Sequence, residues 1–263
     1  MKHVAFAADT YITPPGREKL LHRLLFRSRI YYILRFSCVI LRYWNIARKD
    51  LDHETWSQAS FDMFKILEDC GGRFHITGLD NLRKVDGPVV FVGNHMSMLE
   101  TQVPIGMIFP YKKVVYVIKE QLLAVPFFGA YVKKCISVTR KSPAEDLKQV
   151  LTQGAEKIAS GRSVMIFPQA TRSVEFIPEK FNSLGVKLAK RAGVPVIPMA
   201  LKTDFWGNGR LIKDFGPLHP GKTIHFEFGE PIEIKGQGKQ EHERIMEFIQ
   251  TRLARWLAEE EQF

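Results

Sequence analysis

The sequence predicts an α/β fold. Two observations carry that expectation. Between residues 73 and 228, short apolar runs rich in β-branched residues alternate with stretches of helical periodicity. Several of those runs end in glycine or in polar residues, as buried strands do where they hand the chain to a loop. With 263 residues, 45% hydrophobic and 25% charged, the chain suffices for one large globular domain, or for a domain with a small appendage.

The first distinctive segment is Leu20 to Trp44. It is rich in Leu, Phe, Tyr and Trp, and arginines interrupt it every few residues. Its longest uncharged run, Phe36 to Leu41, falls far short of the ~20 residues a spanning helix needs. A basic, aromatic-rich helix of this kind suits the plane of a membrane interface, or packs on its own domain with the arginines turned outward. Residues 45 to 70 read as a second helix, ended by Cys70-Gly71-Gly72. The expected division is therefore a helical, membrane-interfacial segment over residues 1–70 and an α/β domain over residues 71–263.

Strand candidates follow at Arg73–Thr77, Val89–Gly93, Lys113–Lys119, Cys135–Thr139, Ser163–Pro168, Val194–Leu201 and Thr223–Phe228. The proline within Val194–Leu201 predicts an edge or a bend. The alternation in Thr223–Phe228 predicts one solvated face. Helices are expected from Glu100 to Phe109, from Pro143 to Ser160, from Pro178 to Ala192, and from Lys239 to Glu261.

Composition narrows the function. The formal charge of +10 fits an anionic partner: nucleic acid, an anionic membrane or a phosphorylated substrate. No zinc, helix-turn-helix or RNP-like pattern supports nucleic acid. Cys38, Cys70 and Cys135 lie far apart with no CxxC, and no HExxH occurs, so neither a disulfide framework nor a metal site is readable. Met1 to Asp9 lacks the apolar core of a signal peptide.

The chain is organised around Val89-Val90-Phe91-Val92-Gly93-Asn94-His95-Met96-Ser97-Met98-Leu99-Glu100. A histidine delivered at a strand end can act as a general base near neutral pH. It can equally be a satisfied polar residue. Ser97-x-x-Glu100 is also a capping box, so Glu100 has a purely structural reading. On a regular helix His95 and Glu100 would point about 140° apart. Their pairing therefore needs His95 to precede the helix, and the two readings compete for one carboxylate. Other strand ends carry Lys119, Arg140, and Gln169 with Thr171 and Arg172, which suggests a base beside an anion-binding patch.

These residues resemble the glycerolipid acyltransferase family, which includes the bacterial 1-acylglycerol-3-phosphate acyltransferases. The resemblance rests on Asn94-His95-x-Ser97-x-x-Glu100, Lys119-Glu120-Gln121-Leu122 with Pro126-Phe127-Phe128-Gly129, Ile136 to Arg140, Phe167 to Ser173, and Gly193 to Pro198. It runs from about Gly78 to Gly229. It implies a mixed, mostly parallel sheet flanked by helices, and an N-terminal helical pair that docks on the bilayer. It implies a protein peripheral to the cytoplasmic face of the inner membrane. His95 would be the base and Glu100 its orienting carboxylate. Arg172, with Thr171, Gln169, Arg140 and Lys119, would line the site of the acceptor's phosphate. The acceptor would be a lysophospholipid and the donor acyl-CoA or acyl-carrier protein, with no cofactor. Three positions depart from the family pattern: Glu100 stands for aspartate, Gln169 for glutamate and Ala170 for glycine. The last two keep open another acceptor, an aminolipid or glycolipid, or a catalytically weak lipid-binding homologue.

Overall fold

The computed structural model describes residues 6, 8–109, 111–169, 171–209 and 216–261. In chain order the elements are β1 (Tyr11–Ile12), α1 (Leu20–Leu24), α2 (Arg29–Asp50), α3 (His53–Asp69), β2 (Arg73–Thr77), β3 (Val90–Gly93), α4 (Leu99–Gln102) and α5 (Pro104–Ile108). Then come β4 (Val114–Lys119), α6 (Gly129–Val132), β5 (Ile136–Val138), α7 (Pro143–Ala159), β6 (Ser163–Ile166), α8 (Leu184–Ala192), β7 (Val196–Lys202), β8 (Thr223–Phe228) and α9 (Lys239–Glu261).

One sheet runs β1-β2-β8-β7-β3-β6-β4-β5. Strands β7, β3, β6, β4 and β5 are parallel to one another. Strand β8 is antiparallel to β7 and parallel to β2. Reversed β2 and β8 therefore begin at the sheet edge where β3, β4, β5, β6 and β7 end. Alternation along the central strands feeds two cores. Phe91, Tyr116, Met165, Ile197 and Phe226 pack with α2, α3 and α5 on one face. Val90, Val92, Val164, Ile166 and Val196 pack with α7, α8 and α9 on the other. Gly185 lets α8 lie close to β3: a Cβ there would meet Val92 Cγ2 at 2.3 Å.

The expected division near residue 70 is one of sequence pattern. In space, β1 pairs with β2, and Phe6, Tyr31, Tyr32 and Phe64 share a core with sheet residues Phe74, Phe91 and Phe226.

Five local expectations change. The first helix breaks after α1, because Phe26 and Arg27 both adopt φ +55°. Such a conformation costs a non-glycine residue about 1–3 kcal/mol. The segment after Glu100 forms two short helices, with Pro104 opening the second. Only Leu184–Ala192 of the expected 178–192 helix is α-helical, because Phe181 bridges to Gln169.

The proline-bearing strand β7 lies centrally, between β8 and β3, and not at an edge. Pro198 O accepts from Gly229 N at 2.8 Å, so the proline nitrogen faces the β8 side. The β7–β8 ladder begins only at Met199, so no ladder bond is lost. The supposed solvated face of β8 is covered by α9. His225 stacks on Trp256 at 4.7 Å, and Glu227 is held by Arg252 and Arg255.

Candidate active site

The end of β3 lies between the ends of β7 and β6, and both neighbours contribute to it. Asn94 ends the strand with a two-way clip: its Nδ2 donates to Leu201 O at 2.7 Å, and its Oδ1 accepts from Leu201 N at 2.9 Å. The main chain can then turn away from the sheet. His95 follows. Its N–H donates to Gln169 Oε1 at 2.8 Å, and its carbonyl accepts from Ser173 N at 2.9 Å. Its ring stacks on Phe167 at 4.7 Å and 13°. Its side chain is 16% exposed.

Glu100 is fully buried and its Oε2 bonds His95 Nδ1. Oε1 accepts from Met96 N at 2.8 Å, from Ser97 N at 2.9 Å and from the Thr203 hydroxyl. Ser97 Oγ donates to Thr203 Oγ1 at 3.0 Å and accepts from Leu99 N at 3.1 Å. A buried carboxylate is tolerable only with such a set of donors. The two readings of Glu100 therefore do not compete. One oxygen makes the carboxylate half of the box, on Ser97 N, while the other holds the histidine. His95 does precede the helix, as the pairing required. With Nδ1 given to Glu100, Nε2 is the nitrogen left for a substrate proton.

The anion-site candidates separate. Gln169 is buried, and its side chain ties down the His95 backbone. Its side-chain oxygen thus acts as a strut of the turn that carries His95. Thr171 is exposed and Arg172 half-buried. Both lie between Gln169 and Ser173, the two residues bonded to the His95 backbone, so the segment that carries them runs beside the histidine. Lys119 and Arg140 end strands two and three places along the edge, about 10 and 14 Å away at ordinary strand spacing. Arg140 sits at φ +60°, and its N–H and that of Thr139 both donate to the Asp146 carboxylate. Ala170 lies outside the described residues. Among the described residues no cluster of three His, Cys, Asp or Glu could hold a metal ion.

Thr203 was missed in the sequence. Its only signal was a polar Lys202-Thr203-Asp204 at the end of an apolar run. Its meaning depends on β7 lying beside β3, which no local pattern states. Thr203 is flanked by a buried network. Burial alone would raise the Asp204 carboxyl, but bonds from Lys222 and Lys202 hold it below its ordinary value. Lys202 also pairs with Glu260 of α9.

Beside this turn an apolar cavity of about 90 Å³ opens between α2, α3, α4, β4 and α6. Phe36, Ile40, Met63, Tyr116, Ile118 and Leu122 line it, with Thr101 and Gln102 immediately after Glu100. Burial, with Glu100's charge adding to it, pushes the Tyr116 phenol far above its usual range, so it stays neutral.

The fold and the motif order define an acyltransferase. Residues 73–202 match the family model described as Acyltransferase. A 1-acyl-sn-glycerol-3-phosphate acyltransferase of Pseudomonas aeruginosa is 31% identical over 209 residues, 78% of this chain and 75% of that protein. The chain belongs to the acyltransferase family. A lyso-ornithine lipid O-acyltransferase of the same organism is 26% identical over 167 residues, 59% of this chain and 63% of that protein. The fold is that of the 1-acyl-sn-glycerophosphate acyltransferase PlsC from Thermotoga maritima. That crystal structure superposes with a TM-score of 0.62 at 20% identity, over 89% of this chain and 96% of that one.

Proposed function

We propose that this acyltransferase moves a fatty acyl chain from a thioester to the free hydroxyl of 1-acylglycerol-3-phosphate, a step of phospholipid synthesis. The observation that carries the reading is the His95–Glu100 pair, held at a strand end in a chain of this family. His95 Nε2 removes the proton from the acceptor hydroxyl as its oxygen attacks the thioester carbonyl. Glu100 fixes the tautomer and stabilises the imidazolium that forms. The tetrahedral oxyanion collapses and expels the thiolate, which takes up the proton from His95 Nε2 and returns the imidazole to its neutral form. Arg172 and Thr171 hold the acceptor's phosphate, with Arg140 and Lys119 farther along the same edge. The cavity between α2 and β4 takes apolar chain. The donor is acyl-CoA or an acyl-carrier protein.

The same proposal places the protein peripherally on a membrane, at the cytoplasmic face of the inner membrane. Leu20, Leu21, Leu24, Phe26, Ile30, Leu34 and Leu41 of α1, α2 and their junction are all more than half exposed, with arginines among them. No described helix is long and apolar enough to cross a membrane.

A second reading, an aminolipid acceptor, is favoured by the lyso-ornithine relative. Gln169 no longer supports it, because that side chain serves the His95 backbone. The test is transfer of labelled acyl groups from acyl-CoA and from acyl-carrier protein to a panel of 1-acylglycerol-3-phosphate, lyso-ornithine lipid and lysophosphatidylcholine, beside His95→Ala. Preferred transfer to 1-acylglycerol-3-phosphate, lost by about 10²–10⁴-fold in the variant, is expected. Preference for another acceptor, or equal transfer by His95→Ala, would overturn the reading.

A further inference from the structure

A second basic site lies at the same sheet edge as His95. Strands β2 and β8 run opposite to β3, so Arg73, at the start of β2, stands at the edge where β3 ends. Three strand spacings separate them, about 14 Å. There an open pocket of about 390 Å³ is lined by Arg17, Arg23, Arg27 and Arg73, against the carboxylates of Glu18 and Glu68. Four guanidinium groups against two carboxylates leave an excess of two positive charges.

The pocket is built from its base. Arg27 Nε and NH2 donate to the two oxygens of Glu18 at 2.9 and 3.2 Å, and Arg23 Nε donates at 3.0 Å. Arg27 and then the other partners hold the Glu18 carboxyl down to about 2, against its burial. Glu18 thus stays charged and fixes two guanidinium groups side by side, while each arginine remains more than half exposed. The αL conformations of Phe26 and Arg27 do two things at once. Arg27 folds back onto Glu18, and Phe26 projects outward, 94% exposed. Among the described residues no other large apolar side chain is so exposed. Leu20, Leu21 and Leu24 flank it.

We propose that this pocket binds the phosphate of an anionic phospholipid headgroup in the bilayer, beside an apolar knob of Leu20, Leu21, Leu24 and Phe26 that enters the acyl region. The site is separate from the one that receives the acceptor. An arginine cluster alone would suit any phosphate. The adjoining knob, which water disfavours, assigns the phosphate to a lipid. Two anion sites on one edge then set the orientation of His95 toward the membrane. This inference rests on the membrane reading above.

The test is binding of the full chain to vesicles of phosphatidylcholine alone, and of phosphatidylcholine with phosphatidylglycerol. Wild type is expected to bind the mixed vesicles more tightly. The double variant Arg23→Gln/Arg27→Gln should lose about tenfold on mixed vesicles and little on phosphatidylcholine. Arg73→Gln, which leaves the Glu18 contacts intact, should lose in the same direction if the double variant misfolds. Phe26→Ser should weaken binding to both vesicles alike. Lys187→Gln/Arg191→Gln removes equal charge from α8 on the far face of the sheet and should keep the mixed-vesicle advantage. An equal loss in that control would overturn the pocket in favour of net charge. Equal wild-type affinity for both vesicles would overturn it while leaving the membrane reading standing. Wild type that binds neither vesicle would overturn the membrane reading itself. Loss of inorganic phosphate binding in the double variant without any change on vesicles would overturn the lipid assignment.

Discussion

Among the described residues two histidines pair with glutamates, and the pairs differ in every respect that decides chemistry. His95 and Glu100 lie five residues apart, and His22 and Glu18 lie four apart at 3.1 Å. In the first pair the carboxylate is fully buried and the imidazole reaches the surface. In the second the imidazole is fully buried against Tyr31, while the carboxylate turns to arginines at the rim of a pocket. His22 Nε2 is buried with no partner and has no route to a substrate. A histidine beside a carboxylate is therefore not yet a base. It can serve as one only when the pair is oriented carboxylate inward and imidazole outward. His95 has that orientation because it precedes its helix and Glu100 lies in the first turn.

The sharpest way to break this comparison is to neutralise both carboxylates. Glu100→Gln should lower kcat by about 10²–10⁴-fold, because the amide can no longer favour the tautomer that leaves Nε2 basic. Glu18→Gln should leave kcat on soluble, micellar acceptor within about twofold, since structural surface changes of this kind act elsewhere. Equal losses in steady-state assays would show that both pairs are structural. A smaller effect tests how firmly Glu100 is held. Thr203→Val keeps the shape but removes the hydroxyl donor, and should destabilise the fold by about 1 kcal/mol. It should lower kcat several-fold with KM nearly unchanged. A shifted KM with unaltered kcat would remove Thr203 from the catalytic support.

A third histidine, His225 under Trp256, bears on stability and leaves turnover untouched. Burial, with help from His75 and the nearby cations Lys202 and Arg255, lowers its pKa to about 3. The native state therefore refuses the proton that the unfolded chain accepts near pH 6.5. Its contribution to instability should begin below that pH and grow until about pH 3, by up to ~1.4 kcal/mol per pH unit. His225→Asn should flatten the fall of urea midpoints between pH 6.5 and 4. An unchanged slope would mean that other groups govern acid sensitivity.

Most of the fold was legible because its strands are short apolar runs with clear ends. Val90–Gly93 and Ser163–Ile166 fell where they were expected, since burial on both faces demands unbroken apolar residues. Pro198 misled, because edge position is a property of pairing and only the order of strands decides it. The two αL residues Phe26 and Arg27 left no mark, since neither is glycine or asparagine. At the site, the pairing of His95 with Glu100 was legible from a local motif. Gln169 was legible as a residue but not as a strut, because its partner is the His95 backbone. Thr203 was illegible for a similar reason, its partner lying across two strands.

Asn94 offers Leu201 a carboxamide where another strand residue would offer a peptide group. In effect the sheet gains one more rung than the backbone supplies. The pleat goes on by proxy while the main chain leaves it, so the turn that carries His95 can take whatever path the carboxylate needs without unzipping the strands on which it stands.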